Sequence, residues 1–396
     1  MVGMNHSQQR MPYTTAFPDA LGTGIIIRSA QPISPSMKQD LQAFINEYDA
    51  TLSRFRSDSL VGHMAAADRG GSFDFPDWAL PLFHLYDALH TASRGAIDPC
   101  VGEDLTRLGY GADMTFTVEP DARGHTGSIH GRPTWRNDVE RHGTTLVTQR
   151  AVHLDFGACG KGYLVDLLAR RLRENFGGTG SIGGIGSLRN EWLIDAGGDM
   201  AINGFDAAQP VSIGMEDPDD TSKAIGIAHM SHGSFCASAP SRRHWGAAYE
   251  LHHLLNAIDG LPAQGVAATW VAVSTSDEID GSPATGARPG TAPNTAPDTT
   301  PDNTTPDNTT PDNTTEAVRT AALANRPGVP TGTPTDTAAD ATFTAFPTAA
   351  ADGLATALFV TEPDRLAQYF TFSCALLTPD RRAMMDSGFP GRFFTA

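Results

Sequence analysis

Hydrophobic and polar positions follow two rhythms along this chain, and the points where one gives way to the other mark its elements. The runs "GTGIIIR" (22–28), "ATWVAVST" (268–275) and "YFTFSCALLT" (369–378) are short and apolar, which predicts strands. The stretches "SPSMKQDLQAFINEYDATLSRF" (34–55) and "DWALPLFHLYDALHTAS" (77–93) predict helices, the first with Ser34 or Ser36 as N-cap and the second ending at Gly95. "AAADGLATALFV" (349–360) opens a third. Between them, "LDFGACGKGYLVDLLARRL" (154–172) begins like a strand, passes through glycines and one lysine, and continues as an amphipathic helix. "EWLIDAGGDMAING" (191–204) is a short apolar strand broken by paired glycines. This alternation predicts one α+β domain of mixed sheet and helices.

Residues 277–348 break both rhythms. They are rich in Thr, Pro, Ala, Asn and Asp, with "PDNTT" repeated at Pro301, Pro306 and Pro311. Proline at that spacing interrupts helix and sheet ladders, and little apolar surface is available to offset the entropy of ordering, so disorder is expected. The segment lies in a strand-to-helix connection, so it reads as an insertion in one domain and not as a boundary between two.

Composition narrows the function. Of 396 residues, 40% are hydrophobic, enough for a substantial core. The net charge of −17 argues against a nonspecific binder of nucleic acid or anionic membranes, because both require a basic face. Ten acidic residues against three arginines put −7 of that charge in 277–348, leaving the remainder moderately acidic. The four cysteines form no CxxC pair, so neither a disulfide framework nor a thiolate zinc site is indicated. The N-terminal stretch has no apolar signal core and no run reaches membrane-spanning length, so a cytoplasmic location is expected.

Several motifs carry chemistry. Gly178, Gly180 and Gly183 fit GxGxxG, but the match leaves a helix and precedes a strand, the reverse of a dinucleotide fingerprint, and reads as a loop. In the 154–172 turn, Asp155 stands at a strand end, Gly157, Gly160 and Gly162 free the backbone for close approach, and Lys161 places a cation near a helix N-terminus. That is equipment for phosphate, although a plain glycine-rich turn has the same spacing. Asp195 and Asp199 bracket Gly197 and Gly198, an arrangement that serves either a polar ligand, a cation or a tight turn. Asp352 and Thr356, four apart at a helix start, put two oxygens on one face for a hard cation, or else Asp352 is a first-turn residue. Of His252 and His253 beside an apolar strand, one is expected to point inward, as a core residue or a catalyst.

The order of "LGTG", "SRFRSDS", "AIDPCVGEDLTRLGYG", "LDFGACGKGYLVD", "IDAGGDMAING", "ASAPS", "HHLLNAIDGLP" and "ADGLATALF" resembles the FAD:protein FMN transferases, the ApbE family. The resemblance divides the chain into a tail at 1–20, an ApbE-like, T-fold-related domain at 21–276 and 349–396, and the insertion at 277–348. It implies a transferase that binds FAD and Mg²⁺, or Mn²⁺, and moves FMN onto a threonine or serine of an acceptor protein, releasing AMP. It also implies metal ligands at Asp352, Thr356 and the Ala158 carbonyl. Asp155 and Lys161 would contact FAD, with Leu21, Phe55, Ala96, Ile97, Asp98 and Leu254 lining its site and His253 as general base. The cytoplasmic reading makes the acceptor cytosolic or cytoplasm-facing.

The chain departs from the family pattern in places. Leu60 replaces an acidic residue, Gly160 an alanine, Asn256 an aspartate and Ala257 a proline, and "ASA" at 237–239 stands for "TSG". These changes fall on the acceptor side and the base more than on the metal side. Two other readings therefore stand beside transfer: hydrolysis of FAD to FMN and AMP, and flavin binding without catalysis.

Overall fold

The structure, a computed structural model, describes residues 10–177, 190–246, 250–274, 319–322 and 342–394. Its centre is a nine-stranded sheet. In spatial order the strands are Tyr13–Phe17, Ile25–Ser29, Trp192–Asp195, Met200–Asn203, Gly233–Ser238, Ala268–Val273, Ser373–Leu377, Arg382–Met385 and Arg319–Ala322. Every pairing is antiparallel except the last, between Arg319–Ala322 and Arg382–Met385.

Both faces of the central strands are covered. Along Ala268–Val273 every residue is buried, and the two-residue period sends Val271 and Val273 into the larger core while Ala268, Trp270 and Ala272 enter a second one. The larger core is formed with the helices Pro35–Leu52, Leu80–Ala92, Gly160–Gly177 and Pro347–Ala357. The second lies against a three-stranded sheet of Gly391–Phe393, Asp220–Met230 and Val211–Asp217, through Ile213, Met215, Ile225 and Phe393. Helix Pro35–Leu52 starts where the sequence indicates, with the Ser34 side chain accepting the Met37 N–H at 3.1 Å and proline in the first turn.

The structure differs from the sequence reading at four places. Residues 13–17 of the expected tail form an edge strand on Ile25–Ser29, because the alternation in "YTTAF" buries Phe17. Residues 151–156 join no strand: Asp155 donates its N–H to the Pro99 carbonyl at 2.6 Å, and Phe156 packs edge-on to Tyr86 and Trp135 instead of entering a ladder. The glycine-broken strand is a hairpin in which Trp192–Asp195 pairs with Met200–Asn203. Within 277–348, Arg319–Ala322 is a strand, residues 342–345 are helical, and the next helix begins at Pro347. The strand follows the last "PDNTT" in proline-free sequence, so its N–H groups are available to the ladder. The rest of 277–341 and the glycines at 178, 180 and 183 lie outside the described residues.

Candidate active site

The site rests on two helices whose N-termini are joined by each other's carboxylates. Asp352 of helix Pro347–Ala357 accepts the Gly162 N–H at 2.9 Å, in the first turn of helix Gly160–Gly177. In return, Asp166 of that helix accepts the Thr348 and Ala349 N–H groups at 2.9 and 2.8 Å. Each carboxylate satisfies N–H donors that a helix start otherwise leaves open. Gly162 permits the contact, since a Cβ there would overlap the Thr348 carbonyl oxygen and come within 2.8 Å of Asp352 Cβ. From the sheet, Ser234 Oγ lies 2.7 Å from Thr348 Oγ1, and Thr269 donates to the Ala355 carbonyl at 2.8 Å.

Lys161 therefore projects from the first turn into a buried acidic setting. Its ammonium pairs closely with Asp199 and lies 3.5 Å from Asp352 Oδ1. Burial opposes the charge on Lys161, but Asp199 and Asp352 outweigh it and hold the lysine protonated, above its ordinary range. Burial, and then the negative charge of Asp199, push the Asp352 carboxyl up to about 7. Two carboxylates thus share one ammonium in this region. Thr356 Oγ1, one turn after Asp352, lies 3.4 Å from the Ala158 carbonyl oxygen.

Asp352, Thr356 and the Ala158 carbonyl fit a cation of the Mg²⁺ or Mn²⁺ type, for they are hard oxygens and the buried Asp352 carboxylate shares one ammonium with Asp199. Among the described residues, no three His, Cys, Asp or Glu side chains converge as a metal site. The set thus draws on a hydroxyl and a carbonyl, which suits hard cations better than zinc.

These residues open on a cavity of about 770 Å³, within the range that takes a cofactor-sized ligand. All twelve residues implied by the resemblance line it: Leu21, Phe55, Ala96, Ile97, Asp98, Asp155, Ala158, Lys161, His253, Leu254, Asp352 and Thr356. Leu21 holds a left-handed conformation (φ 50°) in the turn before Gly22, a conformation that costs energy for a branched side chain. Asp155 accepts the Gly157 N–H at 2.6 Å and pairs closely with Arg54. The Asp98 carboxylate is engaged in the fold, accepting the Cys100 N–H at 2.8 Å and the Trp135 N–H at 3.0 Å. Asp98 thereby anchors the 96–98 wall.

His253 and His252 divide as their neighbours require. His252 is buried, with Nε2 3.0 Å from the Ala263 carbonyl. His253 is half-buried on the cavity, with Nδ1 3.4 Å from the Arg243 carbonyl. Because that carbonyl only accepts, a proton on Nδ1 satisfies it and leaves the Nε2 lone pair open. Burial, and then the positive Arg243, hold His253 down to about 4, so it is neutral at pH 7.

Four residues of the site, Arg54, Tyr110, Arg243 and Asp166, have no role in the sequence analysis, and Asp199, which appears there only as a turn carboxylate, proves to be the partner of Lys161. Arg54 stacks over Phe55 and Tyr110, with centroids 4.2 and 4.7 Å from its guanidinium, and one buried nitrogen has no hydrogen-bond partner among the described residues. Arg243 bonds to the Tyr110 hydroxyl, and both line the cavity. Asp166 and Asp199 act from behind the wall. Their signals were present: Arg54 precedes Phe55 in "SRFR", Asp166 ends "GKGYLVD", and Asp199 ends "AGGD". What each touches depends on distant segments.

The chain's likenesses point to one family. The sequence profile of the ApbE family matches residues 21–285. No curated protein matches the chain by sequence. Among solved structures, the ApbE protein of Thermotoga maritima superposes with a TM-score of 0.63 at 17% identity, covering 95% of this chain and 97% of that one. A flavinyl transferase ApbE from Pseudomonas stutzeri gives 0.57 at 19% identity, covering 95% and 96%. The flavin transferase ApbE of Vibrio cholerae gives 0.60 at 16% identity, covering 97% and 96%. At these identities the structures establish a shared fold, and the profile match carries the assignment: the chain belongs to the ApbE family.

Proposed function

We propose that this protein is a transferase that moves FMN from FAD onto a threonine or serine hydroxyl of an acceptor protein, with Mg²⁺ and with release of AMP. The observation that carries this reading is the meeting of Lys161, Asp352, Thr356 and the Ala158 carbonyl at one wall of a cavity that also holds a neutral histidine, His253. Two relatives of the same fold, from Pseudomonas stutzeri and Vibrio cholerae, bear the name flavinyl or flavin transferase.

A divalent cation bound at Asp352, Thr356 and the Ala158 carbonyl would neutralise charge on the FAD pyrophosphate while its phosphorus is attacked. Lys161, held protonated by its carboxylates, adds a second positive charge beside that site. Phe55 and Tyr110, edge-on to each other with ring centroids 5.5 Å apart and Arg54 over both, offer aromatic surface for ring systems of the dinucleotide. The acceptor hydroxyl oxygen forms a bond to the FMN phosphorus, the anhydride bond to AMP breaks, and His253 Nε2 takes the hydroxyl proton. A phosphoester on the acceptor and free AMP result. No protein nucleophile is needed.

The test incubates the full-length protein with FAD, Mg²⁺ and a flavin-acceptor domain, then reads acceptor mass and free nucleotides. An acceptor heavier by one FMN, with AMP released only when metal is present, supports transfer. AMP and free FMN beside an unmodified acceptor favours hydrolysis, and unchanged FAD leaves flavin binding without catalysis.

A further inference from the structure

Asp199 and Asp352 both reach the ammonium of Lys161, but on unequal terms. Lys161 Nζ is in close contact with Asp199 Oδ2 and 3.5 Å from Asp352 Oδ1. Asp199 is 1% exposed, and its other oxygen meets no hydrogen-bond donor among the described residues. Its compensation is therefore Lys161, whereas Asp352 also receives the Gly162 N–H. Asp199 is fixed in place as well, its carbonyl accepting the Ala196 N–H at 3.0 Å across a turn whose glycines have φ of 73° and 108°. Lys161, Asp352, Thr356 and Ala158 line the cavity, and Asp199 does not. It stands behind the lysine.

We propose that Asp199 is a positioning residue that holds Lys161 back from Asp352 Oδ1, so that this oxygen is left for a divalent cation. This rests on the reading that Asp352 is a metal ligand. A lysine is a compact charge on a flexible stem, and its position follows the stronger of two competing carboxylates. With Asp199 present, the ammonium stays on the rear carboxylate and remains near the site as a second positive charge. Without that anchor it swings onto Asp352 and competes with the cation for the same oxygen.

The test measures Mn²⁺ binding to the full-length protein by calorimetry and by loss of the free-ion EPR signal, with no FAD present. Asp199→Asn keeps the shape and removes the charge, and its Mn²⁺ affinity is expected to fall by on the order of tenfold. Adding Lys161→Met to Asp199→Asn is expected to restore affinity, because the competing cation is gone. Lys161→Met alone is expected to tighten Mn²⁺ binding, a result that does not depend on the folding of Asp199→Asn. Unchanged affinity in folded Asp199→Asn overturns the proposal, as does a loss that Lys161→Met fails to rescue, which would make Asp199 a direct ligand. Weaker binding by Lys161→Met alone also overturns it. A wild-type protein that binds no Mn²⁺ overturns the metal reading itself, and the positioning role with it.

Discussion

Asp166 and Thr348 stand 182 positions apart in the chain, and the Thr348 N–H donates to the Asp166 carboxylate at 2.9 Å. The helix that follows has no side-chain cap from its own N-cap residue, Phe346, so Asp166 supplies one from a neighbouring helix. Asp166→Ala leaves two buried N–H groups without acceptors, and about 2–4 kcal/mol of stability is expected to be lost. Asp166→Asn, which keeps one acceptor oxygen, should lose less. Urea unfolding of the three proteins checks the order, and a wild-type midpoint in Asp166→Ala would remove the cap from the account.

Gly160 and Gly162 lie two apart in one helix and predict opposite outcomes. A Cβ at Gly160 would meet Tyr48 Oη at 3.5 Å, an ordinary contact, so Gly160→Ala is expected to hold or raise stability by about 0.5–1 kcal/mol. A Cβ at Gly162 would overlap the Thr348 carbonyl, so Gly162→Ala is expected to cost more than about 2 kcal/mol. Thermal unfolding of both variants separates them, and equal effects would contradict the close helix approach.

His253 is expected to contribute to the acid side of both activity and stability. Well above pH 6.5 it is neutral folded or unfolded and contributes nothing to the pH dependence. As pH falls from 6.5, the unfolded histidine takes a proton that the folded one refuses until about 4. Over that window the folded state loses stability, at up to about 1.4 kcal/mol per pH unit. His253→Asn should flatten this slope in urea titrations at pH 4.5, 5.5 and 6.5. In turnover, His253→Ala should slow FMN transfer far more than it weakens FAD binding, and equal losses would assign the residue to structure. The acid limb of kcat/KM is expected below pH 6.5.

Asp352→Ala removes the carboxylate of the candidate cation site. Mn²⁺ affinity is expected to fall by at least ~100-fold, and metal-dependent turnover should disappear. Calorimetry and AMP release read the two effects separately, and full activity in the variant would refute the metal assignment.

Most elements of the domain were legible in the order of apolar and polar residues. Ile25 and Ile27 turn inward while Ile26 is exposed, as the two-residue period requires, and the Ser34 cap and the Pro35–Leu52 helix stand where local chemistry sets them. Some candidate residues also carry local signatures, the glycine turn of Asp155 and Lys161 and the helix start of Asp352 and Thr356, whereas Leu21, Phe55, Ala96, Ile97, Asp98 and Leu254 come only from the family resemblance. What the sequence by itself could not decide is which distant residue meets which. Whether Lys161 answers to Asp199 or Asp352, whether His252 or His253 faces the cavity, and where Asp166 finds its donors depend on how two helices dock on the sheet and its hairpin turn. Local propensity acts over a few residues, whereas burial and charge compensation act between segments that only the folded chain brings together.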